Sequence, residues 1–255
     1  MHIQHIKMRW GTGDNYAYLV TDDATKDTLI IDPAEPGTVL PVIKDLEAKG
    51  EIKMAGIVNT HHHYDHSGGN EKMRQAYPTL PIIAGFNSPH VTETPAHNTT
   101  FKLGSGITVT ALHTPCHTQD SICYLFQDGE DKAVFTGDTL FICGSGRFFE
   151  GTPEQMDTAL NKILGSLPDD TKVFPGHEYT MGNIKFAKSV LNNEPLAKLE
   201  AFAKTNEVTA GKFTIGDEKS YNPFMMVTDS AIKKAVGFED RTEVMRKLRE
   251  LKNSF

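Results

Sequence analysis

Residues 60–69 read Thr60-His61-His62-His63-Tyr64-Asp65-His66-Ser67-Gly68-Gly69, a His-x-His-x-Asp-His pattern placed directly after the apolar run Met54-Ala55-Gly56-Ile57-Val58. The run suits a buried strand and the Gly-Gly pair is turn chemistry, so the imidazoles and the carboxylate are expected on a loop just beyond a strand's carboxyl end. Open α/β sheets hold their ligands at that place. In extended backbone, residues two apart point the same way. His61 and His63 can therefore grip one cation while Asp65 and His66, further round the turn, face a second. A merely solvated polyhistidine loop would not bring an aspartate and a Gly-Gly turn at this spacing.

The surrounding chain alternates strand and helix signals. Asn15 to Val20 and Thr28 to Ile31 read as strands separated by the turn Thr21-Asp22-Asp23, and Asp32-Pro33 stops the second. Val39, Val42, Ile43 and Leu46 recur at helical spacing until Gly50, which makes a β-β-α-β start. A helix is expected over Asn70 to Tyr77, cut short by Pro78 and Pro81, then a short strand at Ile82-Ile83-Ala84 and a loop over 86–100.

The arrangement of the first loop then recurs. Ile107, Val109 and Ala111 alternate into Thr114-Pro115-Cys116-His117-Thr118. The strand around Val134 ends at Thr136-Gly137-Asp138-Thr139, after a hairpin through Asp128-Gly129 from Ile122 to Phe126. Thr152 caps a helix expected over Pro153 to Leu164. A last strand, Lys172-Val173-Phe174, runs into Pro175-Gly176-His177-Glu178-Tyr179. Beyond Tyr179 the signals are helical, around Ile184 to Leu191, Leu196 to Thr205 and Arg241 to Leu251. The chain is therefore divided into a mixed α/β domain, residues 1–178, and a helical subdomain, residues 179–255.

Composition excludes several classes. With 38% hydrophobic and 23% charged residues the chain is of ordinary globular type, and its net charge of −7 argues against general affinity for nucleic acid or anionic membrane. No stretch approaches the ~20 apolar residues of a transmembrane helix, and Met1 to Lys7 contains neither a long apolar run nor a small-residue cleavage site. The expectation is a cytoplasmic monomer. Cys116, Cys123 and Cys143 are odd in number and lack Cys-x-x-Cys spacing, which indicates neither a disulfide framework nor a zinc knuckle.

A His/Asp set drawn from separate strand exits suits a hydrolytic dinuclear site better than a thiolate-lined structural one. At these motifs the chain resembles the metallo-β-lactamase superfamily and, within it, the glyoxalase II family of hydroxyacylglutathione hydrolases. The resemblance rests on Thr60 to His66, Thr114 to Thr118, Phe135-Thr136-Gly137-Asp138-Thr139-Leu140-Phe141 and Gly176-His177-Glu178-Tyr179. It implies an αββα sandwich, α/β in class, with a C-terminal helical subdomain. It also implies two divalent metal ions, zinc with iron or manganese as alternatives. His61, His63 and His117 are implied as ligands of the first, Asp65, His66 and His177 of the second, and Asp138 of both. The implied activity is hydrolysis of S-(R)-lactoylglutathione to glutathione and D-lactate, the second step of methylglyoxal detoxification. A hydroxide bridging metals ~3.5 Å apart would attack the thioester, with Asp65 and Asp138 as the carboxylates of the catalytic centre.

Glutathione carries two carboxylates, so an acidic protein that binds it needs local cations. Residues 241–255 hold Arg241, Arg246, Lys247, Arg249 and Lys252 against Glu243 and Glu250, a balance of five minus two, or +3. A helical wheel turns Val244, Leu248 and Leu251 one way and Arg246 and Arg249 another, which by itself describes a solvated basic face. The resemblance implies that Arg249 and Lys252 meet the glycine carboxylate and that Arg147 and Tyr179 line the same pocket. Phe149 stands where many relatives place a tyrosine whose hydroxyl helps hold the peptide, and it cannot donate that bond. His62 is expected to point away from the metals. Other readings of the motif stay open: a mononuclear iron persulfide dioxygenase, below it a β-lactamase, lactonase or nuclease on the same scaffold, and, from a different class, a metal-binding module without turnover.

Overall fold

The computed structural model describes all residues, Met1–Phe255. The chain divides into two compact units, Met1–His113 with Asp120–Gly137, and Thr114–Gln119 with Asp138–Phe255.

In the first unit β1 (His2–Met8), β2 (Asn15–Thr21), β3 (Asp27–Ile31), β4 (Lys53–Val58) and β5 (Ile82–Ile83) form one sheet in that order. The β1–β2 and β2–β3 pairs are antiparallel, and β3–β4 and β4–β5 are parallel. A parallel pair needs a crossover. Helix α1 (Pro36–Ala48) supplies the first, and α2 (Tyr64–Ser67) with α3 (Asn70–Ala76) lies in the second. Val39, Ile43 and Met73 of these helices bury against Met8, Leu19, Ile30, Ile57 and Ile82 of the sheet.

All of β2 is buried, as expected of a strand covered on both faces. On its other face Tyr18 meets Phe135 edge-on at 5.2 Å. Phe135 belongs to an antiparallel meander of β6 (Thr100–Leu103), β7 (Ile107–His113), β8 (Ile122–Asp128) and β9 (Asp131–Gly137). Strands β1 and β6 are additions to the sequence reading. Both are edge strands with polar, half-exposed residues, and such strands carry a weak alternation signal.

The second unit contains the hairpin β10 (Leu140–Phe141) and β11 (Gly144–Ser145), helix α4 (Pro153–Asp157) and strand β12 (Lys172–Pro175). Thr152 caps α4 as the sequence predicts, with a reciprocal Gln155 contact, and the helix runs on through a π-helical stretch, Thr158–Ile163, and a 3₁₀ turn to Ser166. The remainder is α5 (Thr180–Val190), α6 (Glu194–Ala203), α7 (Ile215–Tyr221), α8 (Ser230–Val236) and α9 (Arg241–Asn253). Helices α7 and α8 are seven residues each, too short for a periodic signal, and their local marks are caps: the Thr214–Asp217 capping box of α7, and Asp229 and the left-handed Gly237 at the two ends of α8.

Candidate metal centre and substrate pocket

In the first unit β4 delivers Asn59, Thr60 and His61 to the end of the sheet, and His63 opens α2. His61 and His66 are buried, with ring centroids 4.1 Å apart, and His61 Nε2 stands 3.1 Å from His63 Nδ1. The loop is anchored through its backbone. Asn15 Nδ2 donates to the Asp65 carbonyl at 2.7 Å, Asn59 Nδ2 to the His66 carbonyl at 3.2 Å, and Ser67 Oγ to the His62 carbonyl at 2.7 Å. Gly69 is required by contact: a Cβ there would lie 1.9 Å from the Pro33 carbonyl.

Asp32, a strand stop in the sequence, does more than end β3. It is buried, adopts a φ of +51°, and accepts from the Thr60 amide at 2.7 Å, the Thr60 hydroxyl at 2.6 Å and His66 Nδ1 at 2.8 Å. With Nδ1–H given to a carboxylate, Nε2 of His66 keeps its lone pair for a cation. His62 turns aside, as expected, to Asp120 at 2.7 Å. A signal for Asp32 existed in the sequence, since Ile31-Asp32 is one more strand exit with an acid.

The second unit contributes His117, Asp138 and His177. Asp138 offers one carboxylate oxygen to each histidine, Oδ2 at 3.5 Å from His117 Nε2 and Oδ1 at 3.5 Å from His177 Nε2. His117 Nδ1 donates to the Arg147 carbonyl at 2.9 Å, which aims Nε2 inward. Gly146 allows this approach: a Cβ would sit 1.9 Å from the Asp138 carbonyl and 2.8 Å from His117 Nδ1. The ring of Tyr179 stacks on His177 at 4.6 Å, and Phe149 meets His117 edge-on at 5.2 Å while remaining 60% exposed.

Within each unit the donor atoms fit a divalent cation. Two ligand atoms about 2.1 Å from a tetrahedral metal are about 3.4 Å apart, and the spacings in these half-sets are 3.1 and 3.5 Å. Imidazole and carboxylate without thiolate suit zinc, iron and manganese.

The basic helix departs from the solvated face drawn on the helical wheel. Arg249 is 6% exposed, and its Nη1 donates to the carbonyls of Ser145 at 3.2 Å and Gly146 at 3.3 Å. Arg246, by contrast, stays at the surface and is taken up by Glu243 and Glu250. Burial, reinforced by nearby Arg147, lowers the Arg249 guanidinium to about 10. Burial and the Arg249 charge likewise lower the Lys252 ammonium to about 8, and its Nζ donates to Asn183 Oδ1. Lys252 and Tyr179 line one cavity of about 390 Å³ with Met181, Phe186 and Phe255. An anion bound beside these two desolvated cations would offset their mutual repulsion. Arg147 and Phe149 lie on the segment after β11, the arginine exposed.

A model of the metallo-beta-lactamase superfamily matches residues 10–177, and one of the hydroxyacylglutathione hydrolase C-terminus matches residues 178–255. The chain is 54% identical, over 99% of its length and 98% of the relative, to the probable hydroxyacylglutathione hydrolase glo2 of Schizosaccharomyces pombe. It is 45% identical to the mitochondrial hydroxyacylglutathione hydrolase of Saccharomyces cerevisiae, over 100% of this chain and 96% of that one. Among solved structures, that of ETHE1 from Myxococcus xanthus superposes with a TM-score of 0.68 at 27% identity, covering 98% of this chain and 91% of the other. Motifs, mixed α/β fold and full-length identity agree: the chain belongs to the hydroxyacylglutathione hydrolase, or glyoxalase II, family of the metallo-β-lactamase superfamily.

Proposed function

We propose that this chain hydrolyses the thioester of S-(R)-lactoylglutathione to glutathione and D-lactate. The observation that carries the reading, beside family membership, is the Asp138 carboxylate with one oxygen directed to each of His117 and His177. A carboxylate so placed can serve two cations. His61, His63 and His117 would hold the first, Asp65, His66 and His177 the second, and Asp138 both.

When bound, such a pair of cations polarises the thioester carbonyl and makes a nucleophile of water at neutral pH. The chain's own residues do the rest. Asp32 and the Arg147 carbonyl hold the Nδ1 protons of His66 and His117, so that both imidazoles present Nε2. Arg249 and Lys252 bind the glycine carboxylate, and Arg147 and Tyr179 border the peptide. Phe149 offers ring surface in place of a hydroxyl bond, a difference worth about 1 kcal/mol of affinity. No protein nucleophile is required: the thiols of Cys116 and Cys143 are buried and pushed up, Cys116 to about 12.

Residues 1–178 then act as the catalytic domain and 179–255 as the substrate-binding subdomain. The metal is zinc, iron or manganese, the chain acts as a monomer, and its buried free cysteines suit a reducing compartment such as the cytoplasm. No helix is long and apolar enough to cross a membrane.

The test is elemental analysis of freshly purified protein together with a lactoylglutathione assay and an oxygen electrode. Two metal ions per chain and thioester cleavage support the reading. A single iron, with oxygen consumption on glutathione persulfide and no thioester cleavage, overturns it in favour of a dioxygenase.

A further inference from the structure

The turn between β10 and β11 is held almost atom by atom from the C-terminal helices. Cys143 occupies the left-handed region, with a φ of +61°, and its amide donates to Glu218 Oε2 at 2.9 Å. Asn183 Nδ2 donates to the Ile142 carbonyl at 3.0 Å and Asn222 Nδ2 to the Gly144 carbonyl at 3.1 Å, while Arg249 takes those of Ser145 and Gly146. A non-glycine residue with positive φ is disfavoured and persists only where its surroundings over-determine it. Here they do, and Glu218 is at the centre of them.

Glu218 is 0% exposed. Oε2 accepts from the Cys143 amide and from Asn222 Nδ2 at 2.8 Å, and Oε1 accepts from the Tyr221 hydroxyl at 2.8 Å. A carboxyl this deep is costly to keep, and burial pushes it up to about 8 against those donors. Its hydrogen-bond partners are Cys143, Asn222 and Tyr221, none of them a metal-binding candidate. What it touches is the one turn from which the chain proceeds to Gly146 and Arg147, whose carbonyls seat Arg249 and His117.

We infer that Glu218 is a positioning residue for substrate binding: directly and through Asn222 it fixes the 141–146 turn, and thereby the carbonyls that hold Arg249 towards the substrate's carboxylate. This inference rests on the proposed thioesterase reading and on Arg249 as a substrate contact. It adds a requirement that the reading does not contain.

Four variants separate the positioning role from general stability. Glu218→Ala removes the acceptor from the turn. Glu218→Gln leaves an oxygen for the Cys143 and Asn222 donors and an amide N–H for the Tyr221 oxygen. Tyr221→Phe deletes a bond to the same carboxyl that does not reach the turn. Asn222→Ser deletes the reach to Gly144 while a hydroxyl can still cap the following 3₁₀ turn.

Thermal melting, kcat and KM for lactoylglutathione are measured for each. Glu218→Ala and Asn222→Ser are expected to raise KM about tenfold with kcat within about threefold of wild type, because a mispositioned ground-state contact acts on binding. Glu218→Gln is expected to restore KM. Tyr221→Phe is expected to melt earlier with KM unchanged.

The inference is overturned if KM is unchanged in both Glu218→Ala and Asn222→Ser, or if Tyr221→Phe raises KM as much as they do. Should Glu218→Ala fail to fold, Asn222→Ser decides by the same criterion. If wild type cleaves lactoylglutathione and only these effects are missing, the inference fails alone. If wild type does not cleave it, the thioesterase reading fails and takes the inference with it.

Discussion

Asp32 Oδ2 accepts Nδ1–H of His66 at 2.8 Å, and the same carboxylate binds both the amide and the hydroxyl of Thr60, the residue that precedes the histidine cluster. One buried acid at the end of β3 thus sets the position of the loop and the tautomer of an imidazole on it. Asp32→Asn keeps the shape but turns an N–H towards one of these donors. Losses of this kind cost about 10- to 100-fold in metal affinity or activity. We expect that range in kcat/KM, with metal released at lower chelator concentration; a variant within twofold of wild type in both would show that the His66 tautomer is set elsewhere.

Asp138→Ala removes the carboxylate directed to both His117 and His177. Turnover is expected to disappear and metal content to fall from two ions towards one or none, read by elemental analysis of dialysed protein. Full turnover in this variant would refute the bridging assignment.

Arg249→Ala separates binding from chemistry. Hydrogen bonds to charged groups contribute about 1.5–3 kcal/mol, so KM for lactoylglutathione should rise about tenfold or more with kcat little changed. A collapse of kcat at constant KM would place Arg249 in the chemical step instead. Some loss of melting temperature is expected too, since the Ser145 and Gly146 carbonyls lose their donor.

The pH dependence of binding follows from Lys252. Its ammonium is lowered to about 8 from the ordinary lysine value of 10.5, by burial first and by Arg249 second. Between these values the folded chain binds fewer protons than the unfolded one, so the cost of burying this charge is present below pH 8 and is relieved as pH rises. Binding of an anionic substrate runs the opposite way. As pH rises through about 8 the free enzyme loses the Lys252 charge, so kcat/KM, which reports the free enzyme, should fall. In Lys252→Met that decline should vanish and kcat/KM should be low throughout; an unaltered decline would assign the titration to another group.

The loops that carry the candidate ligands were legible because their signals are local. Alternation at Ile107, Val109 and Ala111, the turn at Asp128-Gly129 and the Gly68-Gly69 pair each act within a few residues, and they place His61, His117, Asp138 and His177 at strand ends without reference to the rest of the chain. Helix α4 with its Thr152 cap was legible for the same reason. Strand β1 and helices α7 and α8 were not, since pairing and burial rather than their own pattern hold them in place.

By itself the sequence determined the chemistry of the ligand set, the mixed fold and the family. Tertiary structure alone decided which nitrogen of His66 and of His117 is left free and which basic residue leaves the solvent. Asp32 acts on His66 across 34 positions, Glu218 on Cys143 across 75 and Arg249 on Ser145 across 104. The helical wheel sets Arg249 beside Arg246 because it knows only the geometry of one helix. Burial of Arg249 depends on carbonyl groups that the hairpin brings to it, and no periodicity within α9 encodes them.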